Sequence, residues 1–434
     1  MIKTLIISYY YPPVNHVAAQ RGLAFQQYFP GFGIEPLVAT RHWLATDTSW
    51  ESYFEGRDLP LEIDYSEFGK VLRLPFRSAS GYKLAHHLGR PVQQAYIFGK
   101  SLIGNTQPEI DIFGAFFRPL LRYLRSNPVD LIVATFQPAS ALRLAHRLSK
   151  ELGIQYVADF RDVWNPSAFA IQNSSVGIRQ SILRYIQEFH IKRWLRGAAL
   201  VSAVNQPIID RLKTLCPDGT RFVRVTNGFD EEKFRQVEAK SVSSFTISIV
   251  GTVYPVTDLT IFFAGIREFL KGKSAGDVRL NFVGAGAVES SVRKLRENLP
   301  EEFLSIKGRV PHEEAIGELK SSHVLFDVGW KGYKGITPGK IFDYLGARRN
   351  ILIAPSDHDT MEKIVTETGA GRTADTIEEF VSVLEGWYRE WKDTGEIRYG
   401  GIPEKIAYYT RENQTAILAR EILKLDLPSG GDPE

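Results

Sequence analysis

Between residues 334 and 345 the chain reads Lys334-Gly335-Ile336-Thr337-Pro338-Gly339-Lys340-Ile341-Phe342-Asp343-Tyr344-Leu345, a polar, glycine-bearing loop that runs into an apolar-periodic helix carrying one base and one acid. The start of such a helix is an anion site. Its first backbone N–H groups lack intrahelical acceptors and the macrodipole places partial positive charge there, which suits a diphosphate. Pro338 fits a first helical turn, Lys340 adds a point charge, and Asp343, one turn further in, can accept hydrogen bonds from ribose hydroxyls. An ordinary loop–helix junction with Lys340 and Asp343 solvated would use the same residues, so the elements that position them have to decide.

The chain has 434 residues, more than one hydrophobic core usually supports, so two domains are expected. Hydrophobic content of 44% with 24% charged residues describes a soluble globular protein. Cys216 is the only cysteine, which excludes a disulfide framework and a cysteine-rich metal site and favours a reducing compartment. Residues 1–8 are apolar but too short for a signal peptide, and no later stretch has the length of an apolar membrane span, so the expected place is the cytoplasm, at most on a membrane surface. The net charge of +3 is unevenly spread: residues 1–228 hold 26 Lys and Arg against 17 Asp and Glu, and the remainder 27 against 33. A basic half joined to an acidic half points the first half at something anionic, such as phospholipid, a lipid diphosphate or nucleic acid, although solvated surface charge gives the same count.

Strand-like apolar runs alternate with helical periodicity. Residues 3–9, 34–40, 131–135 and 154–159 read as strands, with helices over 20–28 and 139–152. In the second half, strands over 245–250, 278–283, 304–307, 323–328 and 350–353 alternate with helices over 258–271 and 287–298 and with the helix of the opening motif. This rhythm means parallel sheets with right-handed crossovers, hence an α/β chain of two doubly wound, Rossmann-like domains. The first is expected over 1–228 and the second over 245–400. Asn227-Gly228-Phe229-Asp230 is a turn signal, and 229–244 reads as a polar linker. Residues 42–126, rich in aromatics, Arg and His, read as an insertion. A last helix over 403–424, within 401–425, is expected to cross back to the first domain.

Doubly wound sheets bind ligands beyond the carboxyl ends of their strands. Asn15, His16 and Arg21 follow the first strand, Phe136 ends a later one, and Asp159-Phe160-Arg161-Asp162-Val163-Trp164 ends the next. In the second half the same places hold Gly251 and Thr252, Gly284-Ala285-Gly286, Gly308 and Arg309, and residues 330–334. Facing one another, the two sets of strand ends would enclose a cleft. Structural readings compete: Gly284-Ala285-Gly286 lacks the third glycine of a dinucleotide fingerprint, Asp159 and Asp162 flank Arg161 and suit an ion network as well as acid–base work, and His16 has no second ligand at metal spacing. The stretch 182–196 is amphipathic and basic, which fits core packing or a membrane surface.

In their order and spacing these elements resemble the retaining, nucleotide-sugar-dependent glycosyltransferases of the GT-B fold, in particular the large bacterial family four that builds capsule, O-antigen and exopolysaccharide. The resemblance runs over nearly the whole chain. It is carried by Tyr11-Pro12-Pro13, Asp159-Phe160-Arg161-Asp162-Val163-Trp164, Ala203-Val204-Asn205, Thr226-Asn227-Gly228-Phe229-Asp230 with Phe234, Gly251-Thr252-Val253-Tyr254, Phe282-Val283-Gly284-Ala285-Gly286, Gly308-Arg309-Val310-Pro311 and the segment from Pro338 to Leu345. It implies that Asp343 stands where the second acid of a Glu-x7-Glu motif binds the donor ribose. Thr337, Pro338, Gly339 and Lys340 would lie beside the diphosphate, and Arg309 and Val310 beside the base. Gly251 and Thr252 would let the phosphates approach, and Gly284 belongs to the donor side. Arg161 falls where many relatives place a histidine near the reacting sugar. Asn15, His16, Arg21, Phe136 and Trp164 would face the acceptor.

Three departures stand out. The first acid of the motif falls at Gly335. Val14-Asn15-His16 replaces the usual glycine-rich loop. The Arg and Lys that often follow Gly251 are absent, leaving Arg309, Lys331, Lys334 and Lys340 as counter-charges. The implied chemistry needs no metal and no cofactor: a UDP- or GDP-linked sugar passes to an acceptor hydroxyl with retention, backbone N–H groups and Lys340 stabilising the leaving phosphate, Arg161 lying near the reacting sugar, and that phosphate or Asp162 taking the proton. Implied partners are the nucleotide sugar, a saccharide or lipid-diphosphate-linked acceptor and an anionic membrane surface, with no nucleic acid. A sugar-nucleotide epimerase of the same fold and a non-catalytic nucleotide-sugar-binding protein are the rival classes.

Overall fold

The computed structural model describes residues 1–47, 50–77, 80–105, 107–162, 178–253 and 257–427. The chain divides into two compact units, Met1–Asn227 together with the chain from Glu412 onward, and Gly228–Arg411.

The first unit is built on an eight-stranded sheet of β1 (Ile2–Ile7), β2 (Ile34–Arg41), β3 (Glu62–Ser66), β4 (Gly69–Leu74), β5 (Leu131–Phe136), β6 (Gln155–Phe160), β7 (Leu200–Ala203) and β8 (Phe222–Arg224), in the order β3-β4-β2-β1-β5-β6-β7-β8. Every neighbouring pair is parallel except β3 and β4. Helices α1 (Ala19–Tyr28), α2 (Trp50–Phe54), α3 (Ser80–His87), α4 (Arg90–Leu102), α5 (Phe113–Ser126), α6 (Ala139–Leu152), α7 (Ile178–Leu195) and α8 (Gln206–Lys213) connect them. All six residues of β5 are buried, as are the last five of β6. A parallel strand covered on both faces needs an unbroken apolar run, and that is why these segments were readable.

Residues 42–126 are less of an insertion than their composition predicts. β4 lies beside β2 in parallel register, Val38 opposite Val71, and buries Val71, Leu72 and Leu74. α5 is a crossover helix into β5 whose Phe116, Leu120 and Leu124, spaced four apart, face the core.

The second unit has six parallel strands, β9 (Phe245–Val250), β10 (Val278–Val283), β11 (Leu304–Lys307), β12 (Val324–Asp327), β13 (Asn350–Ile353) and β14 (Gly371–Thr373), in the order β11-β10-β9-β12-β13-β14. Its helices are α9 (Glu231–Gln236), α10 (Thr260–Phe269), α11 (Glu289–Asn298), α12 (His312–Lys320), α13 (Lys340–Ala347), α14 (Thr360–Thr368), α15 (Ile377–Thr394) and α16 (Pro403–Ala407). The expected linker over 229–244 contains α9, capped by the Asp230 carboxylate, which accepts the Lys233 N–H at 3.4 Å, and anchored by buried Phe234 against Phe229.

The single helix expected over 403–424 is two. α16 stays in the second unit, and α17 (Arg411–Ile422) carries the chain into the first, where Leu418, Ala419 and Ile422 are buried with Ile6, Val133 and Val157. Gln414 of α17 accepts the Thr226 N–H at 2.7 Å. Among the described residues, no helix is long and apolar enough to cross a membrane.

Candidate functional site

In the second unit the strand order reverses between β9 and β12. Connections leave in opposite directions there and open a crevice at the carboxyl ends of the strands. α13 starts at this crevice. Its first residue is Lys340, with Gly339 as N-cap and no side-chain cap, so Pro338 precedes the cap instead of opening the helix. Lys340 Nζ lies 2.6 Å from Oδ1 of Asp327, the last residue of β12. Across the reversal, a Cβ added at Gly251, just past β9, would sit 3.7 Å from Lys340 Cδ. The lysine therefore lies between the two strand ends. Tyr344, buried on the same helix, accepts the Val250 N–H at 3.1 Å and donates to the Phe326 carbonyl at 3.1 Å, which pins α13 to both strands.

Sequence reasoning gave Asp327 no role. Its Oδ1 also accepts the Val328 N–H at 2.8 Å, while Oδ2 is buried with no hydrogen-bond partner among the described residues. Burial pushes its carboxyl up and Lys340 opposes the shift. The signal was present, an acid closing an apolar strand, but it carried no hint of its partner.

Asp343 is partly buried. Its Oδ1 is solvent-inaccessible, has no hydrogen-bond partner among the described residues and lies 4.0 Å from His312 Nε2 at the start of α12. Burial raises the Asp343 carboxyl, with Arg411, His312 and Lys233 pulling the other way, and burial lowers His312. Arg309 is exposed and Val310 partly buried in the turn between β11 and α12. Gly284, past β10, packs so closely on β9 that a Cβ would meet the Gly251 carbonyl oxygen at 3.0 Å, and its φ of +96° lies where side chains are strained. Thr252 follows Gly251, and Thr337 lies two residues before the N-cap Gly339. The donor-side residues thus share one end of one sheet.

Gly335 has a physical reason not to be an acid. Its φ is +72°, in the left-handed region, and its N–H donates to Asp359 Oδ2 at 2.7 Å. A carboxylate from another loop therefore reaches the Gly335 amide. Asp357-His358-Asp359 also has an Asp-x-Asp spacing, a pattern that the expectation of metal-free chemistry took to be absent from the chain. Asp357 caps α14 instead, accepting the Met361 N–H at 2.8 Å and the Glu362 N–H at 3.0 Å, and no His, Cys, Asp or Glu cluster suited to a metal occurs among the described residues.

In the first unit, Arg21 is buried in a two-pronged pair with Asp159, Nε–Oδ2 2.7 Å and Nη2–Oδ1 2.6 Å, and also donates to the Thr226 and Val225 carbonyls at 2.9 and 3.0 Å. Ser202 Oγ adds a bond to Asp159 at 2.5 Å. This network joins α1, β6, β7 and the end of β8. Within it the charge of Arg21, expected on the acceptor side, is met inside the unit. Phe136 is likewise core, stacked on Phe160 at 4.9 Å. His16 and Arg161 do come together: the Tyr10 ring stacks on His16 at 4.1 Å with the Arg161 guanidinium 5.8 Å from its centroid. The Ala18 N–H donates to His16 Nδ1 at 3.1 Å. Burial lowers the Arg161 pKa, with Asp162 and Tyr10 opposing. Asn15 and Asp162 are exposed nearby in the chain, and Trp164 lies outside the described residues.

Two Rossmann-like units, each with a strand-order reversal, define the GT-B fold, and solved structures bear this out. A sucrose-phosphate synthase from Thermosynechococcus elongatus superposes with a TM-score of 0.63 at 13% identity, over 98% of this chain and 99% of that one. HepE from Anabaena, solved in complex with UDP and glucose, matches at 0.58 and 13% over 98% and 100%. A UDP-N-acetylglucosamine 2-epimerase from Listeria monocytogenes, so described, matches at 0.51 and 11% over 97% and 95%. No family model matches the sequence, and no curated protein does.

Proposed function

We propose that the chain is a glycosyltransferase that moves a sugar from a nucleotide diphosphate donor, UDP- or GDP-linked, to a saccharide or lipid-diphosphate-linked acceptor in cell-surface polysaccharide synthesis. Transfer proceeds with retention and without a metal, in the cytoplasm at the inner face of the membrane. The observation that carries this reading is Lys340, set at the start of α13 between the ends of β9 and β12. A cation and backbone N–H groups at that point oppose the charge that develops on a departing diphosphate, and such fixed donors need no reorganisation as the bond breaks. HepE, on the same fold, was solved with UDP-glucose.

On this reading Asp343 receives the ribose hydroxyls, its buried Oδ1 gaining the donors it lacks, and the turn at Arg309 and Val310 meets the base. Asp359, bonded to the Gly335 amide, supplies the carboxylate that the motif leaves out. The acceptor hydroxyl attacks from the face the diphosphate leaves, and the departing phosphate takes its proton. Arg161, held over Tyr10 beside His16, stabilises charge near the reacting sugar.

The test is incubation of the full chain with labelled UDP- and GDP-sugars, with and without a lipid extract as acceptor. Nucleoside diphosphate release that needs the acceptor is the expected result. Epimerised nucleotide sugar without acceptor would establish the epimerase instead, and binding without turnover in either arm would establish the non-catalytic class.

A further inference from the structure

The donor chemistry makes no use of a cavity of about 610 Å³ in the helical layer of the first unit. It is walled by α5, α6, α7 and the turn after α4, and none of the strand-end residues lines it. Among the described residues five cations line it, Arg118 from α5, Arg143, Arg147 and Lys150 from α6, and Arg193 from α7, and no Asp or Glu does. Residues 143, 147 and 150 recur at helical spacing, so they share one face of α6. The Arg143 guanidinium is braced 4.1 Å over the Phe113 ring. Two acids interact with these cations and leave an excess: Glu151 pairs with Arg147 at 2.6 Å, and burial raises the Asp111 carboxyl beside Arg143. Burial, with cations of this wall, lowers the pKa of His146 and His190, backbone hydrogen bonds at Leu102 and Ser101 opposing the shift at His190.

Beside the cavity α7 is apolar on two faces. Ile191, Trp194 and Leu195 face the core, while Ile178, Ile182, Tyr185 and Phe189, spaced 4, 3 and 4 apart, are 83, 44, 73 and 57% exposed. The same face ends in exposed Lys192, Arg193 and Arg196. Leu102 and Ile103, at the end of α4 and in the turn after it, are also exposed. Ile103 and Arg193 belong both to this surface and to the cavity wall. A contiguous exposed apolar row bordered by cations that have no ion pair among the described residues marks an interaction surface, and its chemistry matches the anionic headgroup layer and acyl boundary of a bilayer.

We infer that the cavity seats the phosphate or diphosphate headgroup of an anionic membrane lipid while the exposed row of α7, with Leu102 and Ile103, enters the headgroup–acyl boundary. This deepens the membrane part of the proposed function and is separable from the donor chemistry.

The experiment is sedimentation of the full chain with phosphatidylcholine vesicles containing phosphatidic acid, a phosphomonoester, or phosphatidylglycerol, a diester, compared at equal mole fraction. Binding should prefer phosphatidic acid, weaken in salt and yield to inorganic pyrophosphate. Arg193→Gln and Arg143→Gln should each lower affinity roughly fivefold, the equivalent of about 1 kcal/mol per cation, and Tyr185→Ser with Phe189→Ser should abolish retention. Arg193 is exposed, so its variant tests the idea even if Arg143→Gln does not fold. Indifference to both cation variants, or equal binding of the two lipids, overturns the headgroup seat. Pyrophosphate binding without vesicle binding makes it a soluble-anion site and overturns the lipid. Titration of the same variants with UDP-sugar reads the donor site separately, so loss of vesicle binding alone leaves that reading standing.

Discussion

Lys340→Met gives the sharpest test of the site, because Asp327 is almost wholly buried and among the described residues its charge is met by one cation. The pair is 2.6 Å long, with the Asp327 side chain 2% and the Lys340 side chain 25% exposed. Removing one partner of a fully buried pair costs about 3 to 5 kcal/mol, and water near the partly exposed Nζ brings the expectation to about 2 to 4 kcal/mol. Asp327→Asn keeps an acceptor for the Val328 N–H and needs no counter-charge, so the double variant should be more stable than Lys340→Met alone. The pH dependence follows. Asp327 has its carboxyl raised by burial, and without Lys340 it rises further. Between the unfolded and folded pKa values the native state then binds more protons, so stability falls as pH increases through that window, and the decrease is complete above the folded value. Urea unfolding should therefore find Lys340→Met closer to the parent at pH 5 than at pH 8. UDP-sugar titration should show donor affinity weakened by Lys340→Met but not by Asp327→Asn, which frees the lysine charge. Equal weakening by both substitutions would mean the pair serves the fold only, and the phosphate role would be wrong.

Asp343→Ala should weaken donor binding by about 1 to 3 kcal/mol, the scale of hydrogen bonds to a charged group, without loss of thermal stability, since it removes a carboxylate that burial disfavours; an unchanged donor Kd by calorimetry refutes the ribose role. Arg21→Met, which strands Asp159, should cost about 3 to 5 kcal/mol in urea unfolding, and a loss under 1 kcal/mol would contradict the closed network. Gly284→Ala should cost about 1 to 3 kcal/mol from its left-handed backbone and its contact with the Gly251 carbonyl, read as a lowered Tm, and an unchanged Tm would show that β9 and β10 can yield there. Asp359→Asn should lower turnover more than UDP affinity if Asp359 stands in for the missing acid, which steady-state kinetics with the donor sugar can separate.

Local chemistry determined the alternation of elements. β9, β10, β11 and β13 fall where the apolar runs end, and α6 spans the residues its periodicity marks, because strands covered on both faces and helices with one buried face write their period into neighbouring residues. β3, β4, β7, β8 and β14 were not legible: they are short or peripheral, and what makes them strands is the neighbour they pair with. The same division runs through the site. The loop and helix from Lys334 to Leu345 named its own chemistry, since glycine, lysine and aspartate at helix-start spacing are local facts. That Lys340 meets Asp327, that Asp359 reaches Gly335 and that Arg21 closes on Asp159 across 138 positions were decided by tertiary structure alone. A buried charge is stabilised by whichever group the fold brings within 3 Å, and a sequence records the type of that group without its distance.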